Sequence, residues 1–478
     1  MREKSVITRT VTTAGGVYAP GHLGELTQIV NFDLVDAVLE ETGATQKRVR
    51  LLPSRVALYV TLALALFEHC SYVAAWDKLT AALGPLDLIR PAASSLARAR
   101  RRIGTMPLRR LFEAMAGPLA RPGTAGSFYR GLRTVALDGT HLHTPDLEEI
   151  TWHYPKRSGP DREFGYPLLR LLAIVKCGTR AVLAATFGPG SEGEIPYARR
   201  LLNCLNASML LLADAGFDAV GFLRDVAGTG AQFVVRSSAR RRPTPHRHLP
   251  DGSYLARLAA PYRAGHAYGL LTVRVIEAWI TVTLADGTIR REPWRLVTSL
   301  LDEERYPAGE LIDLYHRRWQ VETTYSSIKA TLLDGRVLRS RSIPGLDQEV
   351  YALLTVYQAL IRTAKDAITT SAGIRMERIS FTVLLQAAGD QVTTATATAI
   401  YPPQASTPTG LLRDVIGRTL LNNLLPAQHR QRVKARTRKN TTSKYAANTG
   451  QHPEQAPTYT ITVAVEFMDA GLASRRRR

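Results

Sequence analysis

The sequence predicts an α/β protein preceded by a helical domain, and three patterns of residues support this prediction. Apolar residues recur at helical spacing from about residue 24 to residue 120. From about residue 133 the pattern changes to extended apolar runs, which are typical of strands. These runs and a predicted helix follow one another in the order strand, hairpin, helix, buried strand. That order is typical of a central sheet covered by helices on both faces.

Residues 24 to 120 are predicted to form a compact helical domain. Apolar positions indicate helices near residues 34–39, at 56–67 and at 73–83. A further short helix begins near Pro91 and ends at Gly104. It carries Arg98, Arg100, Arg101 and Arg102. These arginines fit a helix that reads DNA and, equally well, an ordinary solvated charged face.

The segment after residue 133 supplies two acidic residues at predicted strand ends. Strands are predicted at 134–138, 168–177, 181–187 and 209–213, with a helix at 194–205. Asp138 ends the first of these strands, and Asp214 follows the last. Because α/β sheets place their sites at the carboxyl ends of strands, both residues are candidate site residues.

Between about residues 231 and 299, shorter alternating strands predict a β-rich insertion. The predicted strands are 232–236, 270–276, 279–284 and 294–300, with a turn at Asp286-Gly287 and a basic loop that includes Arg240. Helices are predicted again at 308–333 and 346–365. Beyond about residue 372 the patterns weaken, and basic runs at 430–444 and 475–478 are typical of tails that contact phosphate or solvent.

The formal net charge of +21 over 478 residues indicates a polyanionic partner, most simply nucleic acid. A coding bias toward arginine is the alternative explanation. Cys70, Cys177 and Cys204 are isolated, which argues against a disulfide framework or a cysteine zinc site and fits a reducing cytosol. The longest apolar run, 56–67, is too short to span a bilayer, and the first residues do not resemble a signal peptide. We therefore expect a cytoplasmic protein without membrane contact.

The run from Tyr315 to Lys329 predicts a helix with a polar stripe beside a buried one. At about 100° per residue, Arg318 lies about 40° around the helix from Glu322, and Tyr315 and Lys329 each lie about 20° from it. The neighbouring apolar stripe, expected to pack on a core, contains Leu314, Val321, Tyr325, Ile328 and Leu332. Glu322 is then placed at the edge of a cleft. A simple solvated pair between Arg318 and Glu322 is the alternative.

Asp138, Asp214 and Glu322 can meet at one point if the later helix packs on the sheet. Carboxylate oxygens are the ligands that hard divalent cations such as Mg²⁺ prefer. Two such ions about 3.5 to 4 Å apart can clamp the attacking and leaving oxygens of a phosphodiester. The three acidic residues therefore predict metal-dependent chemistry at phosphorus.

Three blocks of the sequence resemble the conserved blocks of the DDE transposases of the insertion sequence four family. They are Asp138-Gly139-Thr140, Asp214-Ala215-Gly216-Phe217, and the helix that carries Tyr315, Arg318, Glu322 and Lys329 with the spacing of the family signature. The segment from Asn31 to Ala120 also looks like the helical domain that precedes the catalytic core in one branch of the family. The resemblance covers roughly residues 20 to 370.

The resemblance implies an RNase H-like catalytic core, a mixed sheet flanked by helices, that cuts DNA and transfers strands by a cut-and-paste route through a hairpin. Asp138, Asp214 and Glu322 would be the catalytic, metal-binding triad, served by two Mg²⁺ ions for which Mn²⁺ can substitute. Tyr315, Arg318 and Lys329 would hold the transposon end, with the two cations on phosphates. The implied partners are double-stranded DNA, as inverted-repeat ends and as target, and a second copy of the chain in a homodimeric synaptic complex at the bacterial nucleoid.

Two further features, a tryptophan and a pair of histidines, leave alternatives open. Trp294 lies where related transposases place an aromatic side chain that stabilises a flipped base, and it fits a core tryptophan equally well. His141 and His143 lie two residues apart on a predicted strand, which is compatible with a zinc pair, although no third ligand is evident. The predicted triad already accounts for Asp138 beside them.

The patterns together divide the chain into six segments. They are a flexible N-terminus (1–20), a helical N-terminal DNA-binding domain (21–120), a first part of the core (121–230), the β-rich insertion (231–299), a second part of the core (300–371) and a C-terminal region with a basic tail (372–478). We expect a transposase that binds the terminal inverted repeats of an insertion sequence. The alternatives are a catalytically inactive DNA-binding protein descended from a transposase and a metal-dependent nuclease without strand transfer.

Overall fold

The computed structural model describes most of the chain from residue 23 to residue 394 and a few shorter segments. The described residues are 12–13, 16–17, 23–48, 50–81, 90–158, 163–238, 241–259, 270–283, 289–369, 371, 373–394, 413–426 and 462–468. Most of the predicted flexible N-terminus, the turn at Asp286-Gly287, Arg240 and the basic runs at 430–444 and 475–478 lie outside the described residues.

Helices form the N-terminal part and much of the later part of the described chain. They are α1 Phe32–Glu41, α2 Ser54–Leu66, α3 Tyr72–Thr80, α4 Ala93–Ile103, α5 Met106–Met115, α6 Glu148–His153, α7 Glu194–Arg200, α8 Val220–Gly228, α9 Ala308–Tyr315, α10 Trp319–Ser326, α11 Ile343–Thr369, α12 Phe381–Thr394 and α13 Arg413–Asn422. Asn31 caps α1 by accepting the N–H of Leu34, and Ser71 caps α3 in the same way. The helical N-terminal region is confirmed. None of the described helices is long and apolar enough to cross a membrane.

Most of the described strands belong to one large mixed sheet. The strands are β1 Thr12–Thr13, β2 Gly16–Val17, β3 Phe128–Tyr129, β4 Leu132–His143, β5 Arg157–Ser158, β6 Glu163–Phe164, β7 Leu168–Lys176, β8 Val182–Pro189, β9 Met209–Ala213, β10 Gln232–Arg236, β11 Pro245–His248, β12 Tyr254–Leu258, β13 Leu271–Thr283, β14 Ile289–Thr298 and β15 Thr462–Phe467. The order in the large sheet is β11-β12-β13-β14-β10-β9-β4-β7-β8, with β3 beside β4 and β15 beside β13.

The centre of this sheet combines antiparallel and parallel pairs. β4, β7 and β8 are antiparallel neighbours, whereas β9 runs parallel to both β4 and β10. All five residues of β9 are buried, which explains its continuous apolar sequence. A mixed sheet flanked by helices is the fold class that the resemblance to DDE transposases implies, and the structure confirms it.

Alternate residues of the central strands enter two separate cores. On one face, Leu137 and Leu211 pack with Phe222 of α8. On the other face, Ala136 and Leu212 join a core that also contains α11 and the N-terminal helices. The N-terminal helices and the sheet therefore share one core through α11.

Arg100 of the arginine-rich helix α4 ties the N-terminal helices to the rest of the molecule. Its buried guanidinium donates to Ser340 Oγ at 2.9 Å and to the carbonyl of Gly345 at 2.7 Å. Gln348 Nε2 in turn donates to the carbonyls of Arg100 and Gly104, at 2.8 and 2.7 Å. Arg98, Arg101 and Arg102 are exposed. Arg100 is therefore structural, and only its neighbours remain candidates for contact with DNA.

The predicted β-rich insertion is continuous with the central sheet, because β14 pairs with β10. The strands predicted at 270–276 and 279–284 are one strand, β13. The polar residue Glu277, which interrupts the apolar pattern, pairs with Arg295 across the ladder instead of marking a turn. β14 begins at Ile289 rather than at Trp294, and the sequence patterns do not predict β11 or β12.

The described C-terminal segments pack on the same body. α13 lies against α11, where Gly417 faces Ala367. The N–H of the buried Ile416 donates to Glu25 Oε2 at 3.3 Å, which joins α13 to the N-terminal region. β15 adds a strand beside the second half of β13.

Candidate active site

Asp138 and Asp214 come from neighbouring parallel strands at the centre of the sheet. β9 runs beside β4 as far as Ala213, which pairs with Leu137, and Asp214 follows directly. Asp214 therefore follows a strand end, as predicted. The prediction that Asp138 also ends a strand is wrong, because β4 continues to His143 by pairing with β7. Asp138 instead lies one residue beyond the last β4 residue that pairs with β9, next to the end of that shorter strand.

The helix predicted at 308–333 is a succession of four short segments rather than one regular helix. α9 ends at Tyr315, a 3₁₀ turn covers His316–Arg318, α10 covers Trp319–Ser326, and a π-helical turn covers Ser327–Leu332. The predicted apolar stripe is confirmed, since Leu314, Val321, Tyr325, Ile328 and Leu332 are all buried. Because 3₁₀ and π turns change the rotation per residue, the angles expected for a regular helix hold only approximately. We call residues 308–332 the site helix.

The guanidinium of Arg318 bridges a carboxylate from the sheet and a carboxylate from the site helix. Nη1 donates to Asp138 Oδ2 at 3.2 Å, and Nη2 donates to Glu322 Oε1 at 2.9 Å. The predicted pair of Arg318 and Glu322 is present, but it is not a solvated surface pair, because the two side chains are only 13% and 17% exposed. Burial disfavours the charged guanidinium, yet Tyr315, Asp138 and Glu322 outweigh it and raise the pKa of Arg318.

Asp138 lies within electrostatic reach of both Asp214 and Glu322. Burial raises the pKa of Asp138 to about 7, and the charges of Asp214 and Glu322 add to the rise. Arg318 and the N–H of Gly139 act in the opposite direction. Asp214 Oδ1 accepts the backbone N–H of Gly216 at 2.9 Å, so a peptide dipole offsets part of its charge. The structure thus brings together acidic residues that are far apart in the sequence.

Two buried tyrosines of the site helix attach it to the sheet. Tyr315 donates its hydroxyl to the carbonyl of Ala213 at 3.1 Å, and Tyr325 donates its hydroxyl to the carbonyl of Asp138 at 2.6 Å. The Tyr325 bond fixes the backbone of Asp138 itself, and the Tyr315 bond fixes the residue just before Asp214. The side chain of Tyr315 is therefore engaged inside the protein, and its contact with a scissile strand stays a prediction.

Cations line β4 beyond Asp138. Lys329 Nζ donates to Thr140 Oγ1 at 3.2 Å, two residues along β4 from Asp138. Burial lowers the pKa of His141 to about 4, and the charges of Arg170 and Lys329 contribute. The positive charges of Arg170 and Lys329 would also repel a zinc ion bound by His141 and His143, whereas they would attract an anion.

Trp294 is half-buried in a cluster of three side chains. Its ring lies edge-on to Tyr315 with 5.4 Å between centroids and lies 5.0 Å from the ring of His316. The guanidinium of Arg236 lies 5.1 Å from the tryptophan ring. The buried indole N–H has no hydrogen-bond partner among the described residues, which is unusual for a purely structural tryptophan. Base stacking and core packing both remain predictions for Trp294.

Glu194 is an acidic residue beside the site that the sequence patterns do not single out. It begins α7, and its Oε1 pairs with Arg170 Nη1 at 2.9 Å. Its carboxylate lies against the glycines that follow the two aspartates: a Cβ on Gly139 would lie 2.7 Å from Oε1, and one on Gly216 would lie 3.4 Å from Oε2. Burial raises the pKa of Glu194 despite Arg170, and the charge of Asp214 adds to the rise. In the sequence, only the glycines at 139 and 216 hint that another side chain lies beside the aspartates.

The oxygen donors at this centre suit a hard divalent cation, although they are not gathered around one point. Among the described residues, no three His, Cys, Asp or Glu side chains are grouped closely enough to hold one ion. Asp138 and Glu322 are separated by the guanidinium of Arg318, which supplies the positive charge between them. A bound cation would replace that charge and relieve the repulsion that raises the pKa of Asp138.

A basic groove of about 750 Å³ lies on the N-terminal helices. Its lining includes Arg50, Arg90, Arg98 and Arg102 beside Leu51, Leu52 and Trp76. Burial lowers the pKa of Arg102, and the charge of Arg50 lowers it further, so these two cations are crowded together. Crowded arginines beside apolar surface suit a phosphate backbone.

Two family models match separate parts of the chain. Residues 20–113 match the family model described as "Insertion element 4 transposase N-terminal", and residues 129–359 match the model described as "Transposase DDE domain". The chain is 27% identical over 334 residues to "Transposase InsG for insertion sequence element IS4" of Escherichia coli (strain K12), covering 68% of this chain and 73% of that protein.

One solved structure is similar over much of its length. It is the cryo-EM structure of the piggyBac transposase synaptic complex with hairpin DNA, with a TM-score of 0.40, 11% identity, and coverage of 83% of this chain and 84% of that chain.

The raised pKa of Asp138 predicts a dependence of stability on pH in the absence of metal. The folded carboxyl has a pKa of about 7, and an unfolded aspartate has a pKa of about 3.9. The folded state therefore holds this proton more tightly, and the stability it contributes is lost as the pH rises from about 4 to 7. Asp138→Asn has no proton to lose, so in chelator at pH 8 we expect it to exceed the wild type in unfolding free energy by on the order of a few kcal/mol.

The measurement is denaturant unfolding with chelator at pH 8 and near pH 4, where the difference should shrink. Asp225→Asn is the control, because Asp225 pairs with Arg199 at 2.7 Å on the surface, outside the site. Equal stability of Asp138→Asn and the wild type at pH 8 would show that neither burial nor the neighbouring carboxylates raise the pKa of Asp138.

Proposed function

The chain belongs to the insertion sequence four family of DDE transposases, and we propose that it cuts the terminal inverted repeats of its own insertion sequence and joins them to target DNA. It is an enzymatic DNA transposase. The observation that carries the finer proposal is that Arg318 bridges Asp138 and Glu322 while the charge of Asp214 also acts on Asp138. A noncatalytic DNA-binding protein would have no need to keep mutually repelling carboxylates together in a half-buried place.

Enzymes with this domain generally use divalent metal ions. We propose two Mg²⁺ ions, for which Mn²⁺ can substitute, with Asp138, Asp214 and Glu322 as the ligands. When bound, such ions supply the positive charge that stabilises the attacking and leaving oxygens at phosphorus. Carboxylates suit them as hard oxygen ligands, and the repulsion among the three favours binding.

The proposed reaction is a series of in-line substitutions at phosphorus in one site. Water attacks the phosphodiester at the transposon end, and the freed 3′-hydroxyl attacks the opposite strand to form a hairpin. A second water opens the hairpin, and the hydroxyl then attacks target DNA. Arg318 is held between two of the carboxylates, where its guanidinium can pass from Asp138 to a phosphate oxygen as the charge there changes.

Contacts with DNA are proposed for two parts of the chain. At the site, Arg318 and Lys329 would take phosphates, and Tyr315 would act mainly by fixing the strand end at Ala213. On the N-terminal helices, the basic groove around Arg50 and Arg102 would hold the duplex farther from the cut. The net charge of +21 supports an extended contact with a polyanion.

We propose a homodimer in the synaptic complex, because two transposon ends have to be brought together before they are joined to one target. The enzyme would act on chromosomal DNA at the bacterial nucleoid. The basic groove and the site would then contact successive parts of the same end.

Asp138→Asn tests the catalytic proposal. With linear DNA that bears the ends of the element and with Mg²⁺, the variant should lose nicking by at least about a thousandfold and still bind the ends, because an amide is a poor magnesium ligand but leaves the basic surfaces intact. Nicking and binding are measured on gels from the same samples. Asp225→Asn should nick like the wild type, since its carboxylate forms only a surface ion pair.

Three results would contradict the proposal in different ways. Persistent nicking by Asp138→Asn would remove Asp138 from the site. A wild type that binds the ends without nicking would be a noncatalytic DNA-binding protein. A wild type that nicks and never joins ends to target would be a nuclease.

Trp294→Ala separates the two proposed roles of the tryptophan. If a flipped base stacks on this ring, hairpin formation or opening should slow by roughly tenfold or more, while the first nick is nearly unchanged. The three steps are followed separately on denaturing gels, with Trp279→Ala as the control, since Trp279 contacts Arg291 on the outer part of the sheet. An equal loss of all steps would mean that Trp294 only packs against Tyr315 and His316.

A further inference from the structure

We propose that Glu194 is a fourth carboxylate of the catalytic centre and supplies a further oxygen ligand to the divalent cations. This inference rests on the proposed function, because it assigns a new residue to the same site. The carboxylate belongs to the first residue of α7, which follows the β7–β8 hairpin, so it reaches the site from an element that carries no member of the triad.

The position of the carboxylate is defined by the backbones that carry the two aspartates. Oε1 lies 2.7 Å from where a Cβ on Gly139 would be, and Oε2 lies 3.4 Å from where a Cβ on Gly216 would be. The same Cβ on Gly216 would lie 3.0 Å from Asp214 Oδ1. Glu194 is therefore inserted between the segment after Asp138 and the segment after Asp214.

Glycine at position 139 leaves room for the Glu194 carboxylate. A Cβ there would lie 2.7 Å from Oε1, so any other residue would force the carboxylate to shift. Gly139 does not have a positive φ, so its backbone conformation does not require glycine.

Arg170 holds Glu194 in the way that Arg318 holds Asp138 and Glu322. Arg170 Nη1 pairs with Glu194 Oε1 at 2.9 Å, and Arg170 Nη2 also donates to the carbonyl of Gly190 at 3.2 Å. The other carboxylate oxygen, Oε2, is the one that faces Gly216, two residues after Asp214. The four carboxylates face two guanidinium groups, so the fully ionised centre keeps an excess of negative charge that divalent cations can neutralise.

A purely structural ion pair between α7 and β7 is the competing explanation. The chain offers a matched control in Glu192, two residues earlier, which pairs with Arg200 at 2.6 Å and lies outside the site. Removing either carboxylate breaks one ion pair with arginine. Only Glu194 should also change the binding of metal.

The test is titration of the DNA-free protein with Mn²⁺, followed by calorimetry and by the electron paramagnetic resonance signal of free Mn²⁺. We expect Glu194→Gln to weaken Mn²⁺ binding by about tenfold or more, or to remove one bound ion, and Glu192→Gln to bind like the wild type. Glu194→Asp, which keeps the charge one methylene farther away, should be intermediate. Circular dichroism and unfolding in chelator show which variants are folded, and Glu194→Asp decides the question if Glu194→Gln is not.

Two failures remain distinguishable. Undiminished Mn²⁺ binding by folded Glu194 variants, together with weakened binding by Asp138→Asn, would overturn the role of Glu194 and leave the proposed function intact. A wild type that binds no Mn²⁺ and cuts no DNA would overturn the proposed function itself. A lower unfolding midpoint of Glu194→Asp with unchanged Mn²⁺ affinity would reduce Glu194 to a structural ion pair.

Discussion

The structure has to hold several carboxylates, whose negative charges repel, close together in a half-buried site, and the rest of the structure depends on this constraint. Burial and the charges of Asp214 and Glu322 raise the pKa of Asp138 to about 7. The protein counters this repulsion with a guanidinium, Arg318, shared between two carboxylates, and with a backbone N–H that Asp214 accepts from Gly216. These contacts offset part of the negative charge at the site, and a divalent cation would neutralise more of it. We expect the ionised carboxylates to lower stability here relative to neutral side chains, as is common where function requires buried charge.

The scaffold has to hold these charges in place against their repulsion. Tyr315 and Tyr325 do this by bonding the site helix to the carbonyls of Ala213 and Asp138. Beneath the site helix, α11 shares one core with the sheet and with the N-terminal helices, and Arg100 joins α4 to the segment before α11. A duplex bound in the basic groove of the N-terminal helices would thus be attached to the catalytic sheet through packed and hydrogen-bonded elements.

Much of this arrangement follows from local sequence patterns. Apolar periodicity predicts the helical N-terminal region, the buried strand before Asp214 and the buried stripe of the site helix, because each depends on neighbours a few residues away. Long-range contacts explain what the patterns do not predict. Pairing with β7 extends β4 past Asp138, and the pairing of Glu277 with Arg295 joins two predicted strands into β13. Glu194 has no motif of its own, because only folding brings it to the glycines of the aspartate segments.

We propose that a divalent cation takes over the charge that Arg318 supplies between the carboxylates. Anomalous diffraction from crystals grown with saturating Mn²⁺ would locate the metal independently of activity. We expect manganese density bounded by Asp138, Asp214 and Glu322, with the Arg318 guanidinium withdrawn from Asp138. Manganese density elsewhere, or none at this centre with Arg318 still hydrogen-bonded to Asp138, would contradict it.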